Sequence, residues 1–321
     1  MDWKKFQLFL NYASKQTNKS KLVLLSDAFY SVFKYNISLL EYFQFRFFEK
    51  NSVERELWAG TGYMFEYQLI MNPKSERIIL DDKRKFYKEY HKYFVHQVAS
   101  LEEMKNNSEV IQQLLNNPSG KIVFKVSDGK CGITVQVAKA KDFDVKSIVP
   151  FMEKNQFDMI EEFIVQHPEL NKLSPSGVNT VRIFTQLDKN DEVVLLGCRQ
   201  RISVNSPVDN MAAGNMAAVI DEHTGKIIDA GVYSDITKNE EIVHPITGVS
   251  IVGFQVPFWK EAITMVKEAA KLHPQNRSIG WDIVITANGP GFIEGNHDWC
   301  KLLWQLPAKK GLKSLLKTHL K

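Results

Sequence analysis

The sequence predicts an α+β protein with a mainly helical N-terminal region, and three observations carry that reading. LVLLSDAFYSVFKY and LLEYFQFRFF, residues 22–35 and 39–48, repeat apolar side chains at helical spacing. Residues 121–202 are dominated by strand-like alternating runs. GWDIVITANGPGFIEGN, residues 280–296, reads as two short strands joined by a turn. Helices gathered in one part of a chain and strands in another define the α+β class.

Residues 1–79 form the helical region, in which Tyr42, Phe43, Phe45, Phe47 and Phe48 are expected to be core. DDKRKFYKEYHKYFVHQV then opens a helix on Asp81 and Asp82, whose carboxylates suit the free backbone donors of a first turn. KIVFKVSDGKCGITVQV, residues 121–137, is a β-hairpin with a glycine-containing tip. Turns and short strands fill 203–255, and Trp259, Ile263, Val266 and Ala270 mark a helix over 258–272. The turn of the 280–296 hairpin is expected at Asn288, Gly289, Pro290 and Gly291. In the closing AKKGLKSLLKTHLK, Leu312, Leu315, Leu316 and Leu320 fall at helical spacing among five lysines. Such a helix docks its leucines on its own domain; the alternative is contact with an anionic membrane surface.

Composition excludes several classes. The 321 residues suffice for two or three subdomains, and 44% hydrophobic with 24% charged residues is ordinary for a soluble globular protein. A net charge of +4 with no basic stripe interleaved with aromatics does not support nucleic-acid binding. Cys131, Cys198 and Cys300 are far apart, odd in number and at no metal-ligand spacing, which fits a reducing cytoplasm rather than a disulfide framework. No run approaches the roughly 18 apolar residues of a membrane span, and MDWKKFQLFLNYASKQ lacks a cleavage-site pattern.

Three constellations bear chemistry. Asp282 leads the first strand of the 280–296 hairpin, and Glu294 and Asn296 share a face of the second, being two apart. Two carboxylates and an amide oxygen are hard ligands that suit Mg²⁺ carrying a nucleotide phosphate better than zinc or copper, although the spacing alone also fits a hairpin with solvated acids. In the 121–137 hairpin, Gly129 and Gly132 let backbone N–H groups approach an anion, but the P-loop pattern is absent. Arg182 lies inside VNTVRIFT, and Arg199 and Arg201 share a face of a later strand. Guanidinium groups there need partners, either carboxylate or phosphoryl oxygens of a ligand or strand neighbours such as Glu192. His297, Asp298 and Cys300 cannot form a nucleophilic relay, since strand neighbours point to opposite faces. His167 and His244 precede prolines and read as turn residues.

The D…E-x-N hairpin, VSDGKCGITV, EEFIVQH, VNTVRIFT, RQR and DNMAAGN occur in the order found in the ATP-grasp ligases. With SPSGVNTVRIFT, HPITGV, GFQVPFW and GWDIVI the chain most resembles the sugar-transfer-associated ATP-grasp branch, from about residue 20 onward. That resemblance implies the ATP-grasp fold, two α+β subdomains gripping ATP: a nucleotide-lid subdomain over 80–165 and a catalytic subdomain over 166–321. It implies ATP and Mg²⁺ as cofactors, with Asp282, Glu294 and Asn296 as metal ligands. The loop around Ser127, Asp128, Gly129 and Gly132 would cover the phosphates, helped by Lys125 and by Lys83 beside Asp82. Glu161, Glu162, Phe163 and Ile164 would hold adenine, and either Gln166 or Glu169 the ribose. Arg182 would bind the transferring phosphoryl group and Arg199 with Arg201 a substrate carboxylate, while His297 or Asp298 borders the acceptor pocket. The implied activity is ATP-dependent joining of a carboxylate, such as a uronic or sugar-linked acid, to an amine or amino acid through an acyl phosphate, in polysaccharide or sugar-conjugate synthesis. A kinase acting on a hydroxyl of a sugar or other small molecule would use the same nucleotide site.

Overall fold

The computed structural model describes residues 2–127 and 135–320. Helices α1 (Trp3–Thr17) and α2 (Lys21–Tyr35) open on Asp2 and Ser20, whose side chains accept first-turn N–H groups, and stop at Asn18 and Asn36 in the left-handed conformation. Helices α3 (Leu39–Gln44) and α4 (Ser52–Glu56) start with the reciprocal capping pairs Ser38/Glu41 and Asn51/Glu54. The five aromatics from Tyr42 to Phe48 are buried among these helices, as expected. Arg55 pins the bundle by donating to both oxygens of Asp27 at 2.7 Å, and the Tyr42 hydroxyl donates to the same carboxylate.

Helices α5 (Thr61–Met71), α6 (Ile78–Asp81) and α7 (Lys83–Tyr90) lead to two sheets. Asp82 caps α7 by accepting from Arg84 N, as its position in the sequence suggests. Strand β1 (Val98–Ser100), helices α8 (Leu101–Asn106) and α9 (Ser108–Leu115), strands β2 (Lys121–Lys125) and β3 (Val135–Lys139), helix α10 (Ile148–Lys154) and strand β4 (Met159–Glu162) build the first sheet. It is antiparallel, in the order β1-β4-β2-β3. Ile122, Phe124 and Ile160 pack on Ile111, Leu114, Ile148 and Met152 of the helices. Period two then puts Lys125 and Glu161 on the opposite face.

Helix α11 (Pro168–Leu173), strands β5 (Val181–Leu187), β6 (Val193–Ile202), β7 (Met216–Ile220) and β8 (Val232–Tyr233), helix α12 (Trp259–Ala270), strands β9 (Ser278–Thr286) and β10 (Gly289–Asn296), and helices α13 (Lys301–Gln305) and α14 (Lys313–Lys317) complete the chain. Among the described residues the second sheet is antiparallel, in the order β10-β9-β5-β6-β7-β8. One face, with Val181, Ile183, Trp281, Ile283 and Phe292, packs on α7 and α12. The other carries Phe184, Leu196 and Ala217 against Tyr67 of α5 and Trp304 of α13 at one end, and charged side chains at the other.

The hairpin turn is tighter than the glycines suggest. Thr286 pairs directly with Gly289, so only Ala287 and Asn288 form the loop. The Thr286 hydroxyl closes it, accepting from Asn288 N and donating to Gly289 O, both at 3.1 Å. Pro290 and Gly291 belong to β10, an edge strand where proline's missing donor costs no ladder bond. At the C-terminus Leu312 and Leu316 are buried while Leu315 and Leu320 remain exposed. Lys313 N donates to Leu57 O, so this short helix is seated on its own chain. Among the described residues no helix is long and apolar enough to cross a membrane.

Candidate active site

The second sheet aligns its charges by register. Glu294 pairs with Asp282, Asp282 with Arg182, and Arg182 with Arg199, one residue from each of four adjacent strands. Side chains opposite one another across antiparallel strands lie on one face, so the row is a direct product of strand pairing. A bulge makes it possible: Ile293 is an extra residue between the Phe292–Ile283 and Glu294–Asp282 pairs. Phe292 therefore enters the core while Glu294, two residues later, faces the charged side. Gly280 keeps room beside the row, since a Cβ there would lie 2.6 Å from the Cβ of Trp299 and 3.3 Å from Arg182 Nη1.

Asp282 is the hub. Arg182 grips it with Nε on Oδ1 and with Nη2 on Oδ2 at 2.6 Å, and Arg201 Nη1 adds a bond to Oδ2 at 3.0 Å. Arg201 Nη2 also reaches Asp209 Oδ1 at 2.7 Å. Burial works to raise the Asp282 pKa, but the two guanidinium groups outweigh it and hold the carboxyl at about 2. Glu294 shifts the other way, raised by burial and by the negative charge of Asp282. Asn296 donates to Glu294 Oε1 and to Gly280 O, both at 3.3 Å.

Mg²⁺ fits this donor set. Glu294 and Asn296 are hard oxygen donors side by side, and a cation there would relieve the burial and repulsion that make Glu294 reluctant to ionise. Asp282 keeps lone pairs beyond those taken by the arginines, since a carboxylate has about four acceptor sites.

Arg199 and Gln166 are both turned into the protein. Arg199 shares its face with Arg201, but α13 closes over it, and its Nε and Nη2 donate to the Trp304 carbonyl while Nη1 donates to Cys198 O. Burial without a carboxylate partner pushes it down to about 10. Gln166 is likewise spent inside the protein. Its amide nitrogen donates to Ser174 O and Gly177 O, and its oxygen accepts from Asn179 N and Nδ2, all at 3.0 Å. It locks the loop 167–179 and leaves no group for a ribose, whereas Glu169 stands exposed on α11, paired with Lys172 at 2.7 Å. Glu192, the suggested strand partner for the arginines, pairs with Lys271 instead.

On the first sheet, Lys125 Nζ meets Glu161 Oε2 at 2.5 Å, and His96 Nε2 lies 3.5 Å from the same oxygen. Burial opposes ionisation of Glu161, but Lys125 and His96 outweigh it and hold it at about 2. Glu162 is half-buried and accepts from Gln97 N at 3.3 Å. Phe163 lies beneath Lys121, whose Nζ is 5.0 Å from the ring centre, and Phe163 and Ile164 follow β4 as a half-buried connector. Lys83 joins the two sheets: its backbone and Nζ both reach Ser127 O, and its charge acts on Glu294. Ser127 is held by Asp158, which accepts from its N at 2.7 Å and its Oγ at 2.5 Å. Asp128, Gly129, Lys130, Cys131 and Gly132 lie outside the described residues.

Two partners were missed by sequence reasoning. Asp209, in the DNMAAGN run, accepts from Thr180 N and Oγ1 as well as Arg201, and its only sequence signal is that run itself. His96 gives no signal beyond a lone histidine before a strand. His297 pairs with Asp81 at 3.0 Å, and its carbonyl accepts from Asn72, tying the residue after Asn296 to the helical region. Asp298 and Cys300 are exposed, with no relay between them and His297. His167 and His244 act as turn residues, their Nδ1 atoms accepting backbone N–H groups.

Sheet order, charged row and lysine-bearing opposite sheet together define an ATP-grasp arrangement. The family model described as sugar-transfer associated ATP-grasp matches residues 64–320, and the chain belongs to that family. The match starts at α5, later than the residue 20 suggested by motif order, so α1–α4 precede it. No curated protein matches the chain. Among solved structures it is similar to the biotin carboxylase of Campylobacter jejuni, at 12% identity over 78% of this chain and 48% of that one, with a TM-score of 0.47. It is also similar to the ATP-grasp ligase PsnB, at 11% identity over 78% and 62% with a TM-score of 0.46. A third likeness is to the D-cycloserine synthetase DcsG, at 12% identity over 77% and 73% with a TM-score of 0.45. The chain spans less than two thirds of the length of the first two of these.

Proposed function

We propose that this protein is an ATP-dependent carboxylate–amine ligase working through an acyl phosphate, on a uronic or sugar-linked acid and an amine or amino acid. The observation that carries the reading is the Glu294–Asp282–Arg182 row with Arg201 beside it: two carboxylates meet two guanidinium groups on one face. Residues 80–165 would act as the nucleotide lid and 166–321 as the catalytic part, with Lys83 and Lys125 toward the phosphates and Glu161 to Ile164 toward adenine. Asp282, Glu294 and Asn296 would hold Mg²⁺, which when bound neutralises charge on the phosphoryl oxygens.

The chain's own groups then do the positioning. Arg182 uses only part of its five N–H groups on Asp282, and the remainder can grip the transferring phosphoryl oxygens. Arg201, fixed between Asp282 and Asp209, is the remaining guanidinium for the substrate carboxylate. With the acid held in line, its oxygen attacks the γ-phosphorus and ADP leaves; the amine nitrogen then attacks the acyl carbon and phosphate leaves. Such transfers depend on alignment and charge stabilisation, so no nucleophile triad is required.

Purified protein incubated with ATP, Mg²⁺ and pools of carboxylates and amines tests this. ADP and phosphate release that needs both an acid and an amine, with a product lighter than their sum by one water, is expected. A product that gains a phosphoryl group with no free phosphate would establish the kinase instead, and ADP release independent of every acid would refute the ligase reading.

A further inference from the structure

Helix α2 is apolar on two opposite sides. Its inward side, Leu24, Ala28, Ser31 and Tyr35, is buried against the N-terminal core. Its outward side carries Leu22, Val23, Phe29, Tyr30 and Phe33, interrupted only by Ser26. These outward residues are strongly exposed, Leu22 by 79% and Phe33 by 84%. A helix that is apolar all round is normally covered on all sides, and the outward stripe of α2 has no cover among the described residues. Trp3, at the start of the adjoining α1, is exposed by 63%.

Charge says what covers it. Residues 1–35 contain six lysines, Lys4, Lys5, Lys15, Lys19, Lys21 and Lys34, against Asp2 and Asp27, a net of +4. That equals the net charge of the whole chain, so the remaining residues are electrically balanced. Asp27 is in addition neutralised by Arg55. Lys34 Nζ lies 5.3 Å from the Tyr30 ring centre, putting a cation at the border of the apolar stripe. A second copy of the chain would bring like charge to like charge at this face, whereas an anionic bilayer complements it. Aromatic and aliphatic side chains bordered by lysine are the composition of helices that lie in a lipid interface.

We infer that the α1–α2 hairpin is a docking surface for an anionic lipid bilayer, with α2 lying along the membrane and Leu22, Phe29 and Phe33 entering the headgroup boundary. These helices precede the family match at residue 64, so the surface is additional to the ATP-grasp part and independent of its chemistry.

Sedimentation of the full chain with vesicles decides it. Co-pelleting with phosphatidylcholine vesicles containing about 30% phosphatidylserine is expected at low salt, weakening as salt rises from about 0.05 M to about 0.5 M. Phosphatidylcholine alone should capture at least roughly ten-fold less. The double variant Phe29→Ser, Phe33→Ser and the double variant Lys21→Glu, Lys34→Glu should each lose binding while melting like the parent, because all four side chains are exposed. Absence of co-pelleting, or binding that survives both variants, would overturn the inference. So would a concentration-dependent dimer that the Phe29→Ser, Phe33→Ser variant dissolves without any vesicle binding, which would make the stripe a self-association face.

Discussion

Glu294→Gln is expected to cut ATP turnover by at least roughly 100-fold while leaving the protein as stable as the parent or more so. The sign follows from its pKa. Burial and the charge of Asp282 raise Glu294 in the folded state, so its contribution to stability is full below the unfolded pKa and is lost as pH rises through the folded value. Above the unfolded pKa this carboxyl therefore works against folding, a cost that glutamine removes without changing shape. A second readout separates metal binding from chemistry. Mg²⁺ should raise the melting temperature of the parent and not that of Glu294→Gln, since only a binder of the native state shifts unfolding. Turnover near the parent's, or an equal Mg²⁺ shift in both proteins, would remove Glu294 from the metal site.

Asp282→Asn should behave in the opposite way, losing about 3–5 kcal/mol of stability because two buried guanidinium groups lose their shared carboxylate. Arg182 and Arg201 are both bonded to Asp282, and without it Arg201 keeps its ion pair with Asp209 while Arg182 loses its paired carboxylate. The pH dependence has the ordinary carboxylate sign. Asp282 and Glu161 are both held at about 2, so their stabilisation is present above the unfolded pKa near 4 and disappears as pH falls from about 4 to about 2. Urea titrations at pH 7 and in that acid range check it: the Asp282→Asn curve should start lower and lose less on acidification than the parent's. Equal stability of the two proteins at pH 7 would contradict the hub role of Asp282.

Much of the site is legible in the sequence for a simple reason. Alternation along a strand and a short turn put Glu294 and Asn296 on one face and set Asp282 on the neighbouring strand, which is as far as those signals reach. The pairing of Asp282 with Arg182 lies beyond them, because it depends on β9 lying beside β5, a contact between residues 100 apart in sequence. The bulge at Ile293 is similarly silent, being a matter of register between two strands that both look regular. Arg199 and Arg201 show the limit most clearly. Period two puts both on the right face, and only the arrival of α13, with the Trp304 carbonyl over Arg199, separates a buried structural cation from a candidate substrate ligand. The internal bonds of Gln166 are hidden for a related reason: polar residues that hold a loop from inside look like polar residues that await a ligand. The helical region was readable as helix and as aromatic core, but the outward stripe of α2 was not, since helical periodicity alone does not distinguish a buried face from a bare one.

The central claim, that the charged row and the lysine-bearing sheet together hold MgATP, is tested most directly by calorimetric titration of ATP into the parent and into Lys125→Ala, with and without Mg²⁺. Each variant's fold is checked by its melting curve. One ATP per chain, dependence on Mg²⁺, and at least roughly ten-fold weaker binding in Lys125→Ala are the predicted results. Failure of the folded parent to bind ATP, or equal affinity in a folded Lys125→Ala protein, would contradict it.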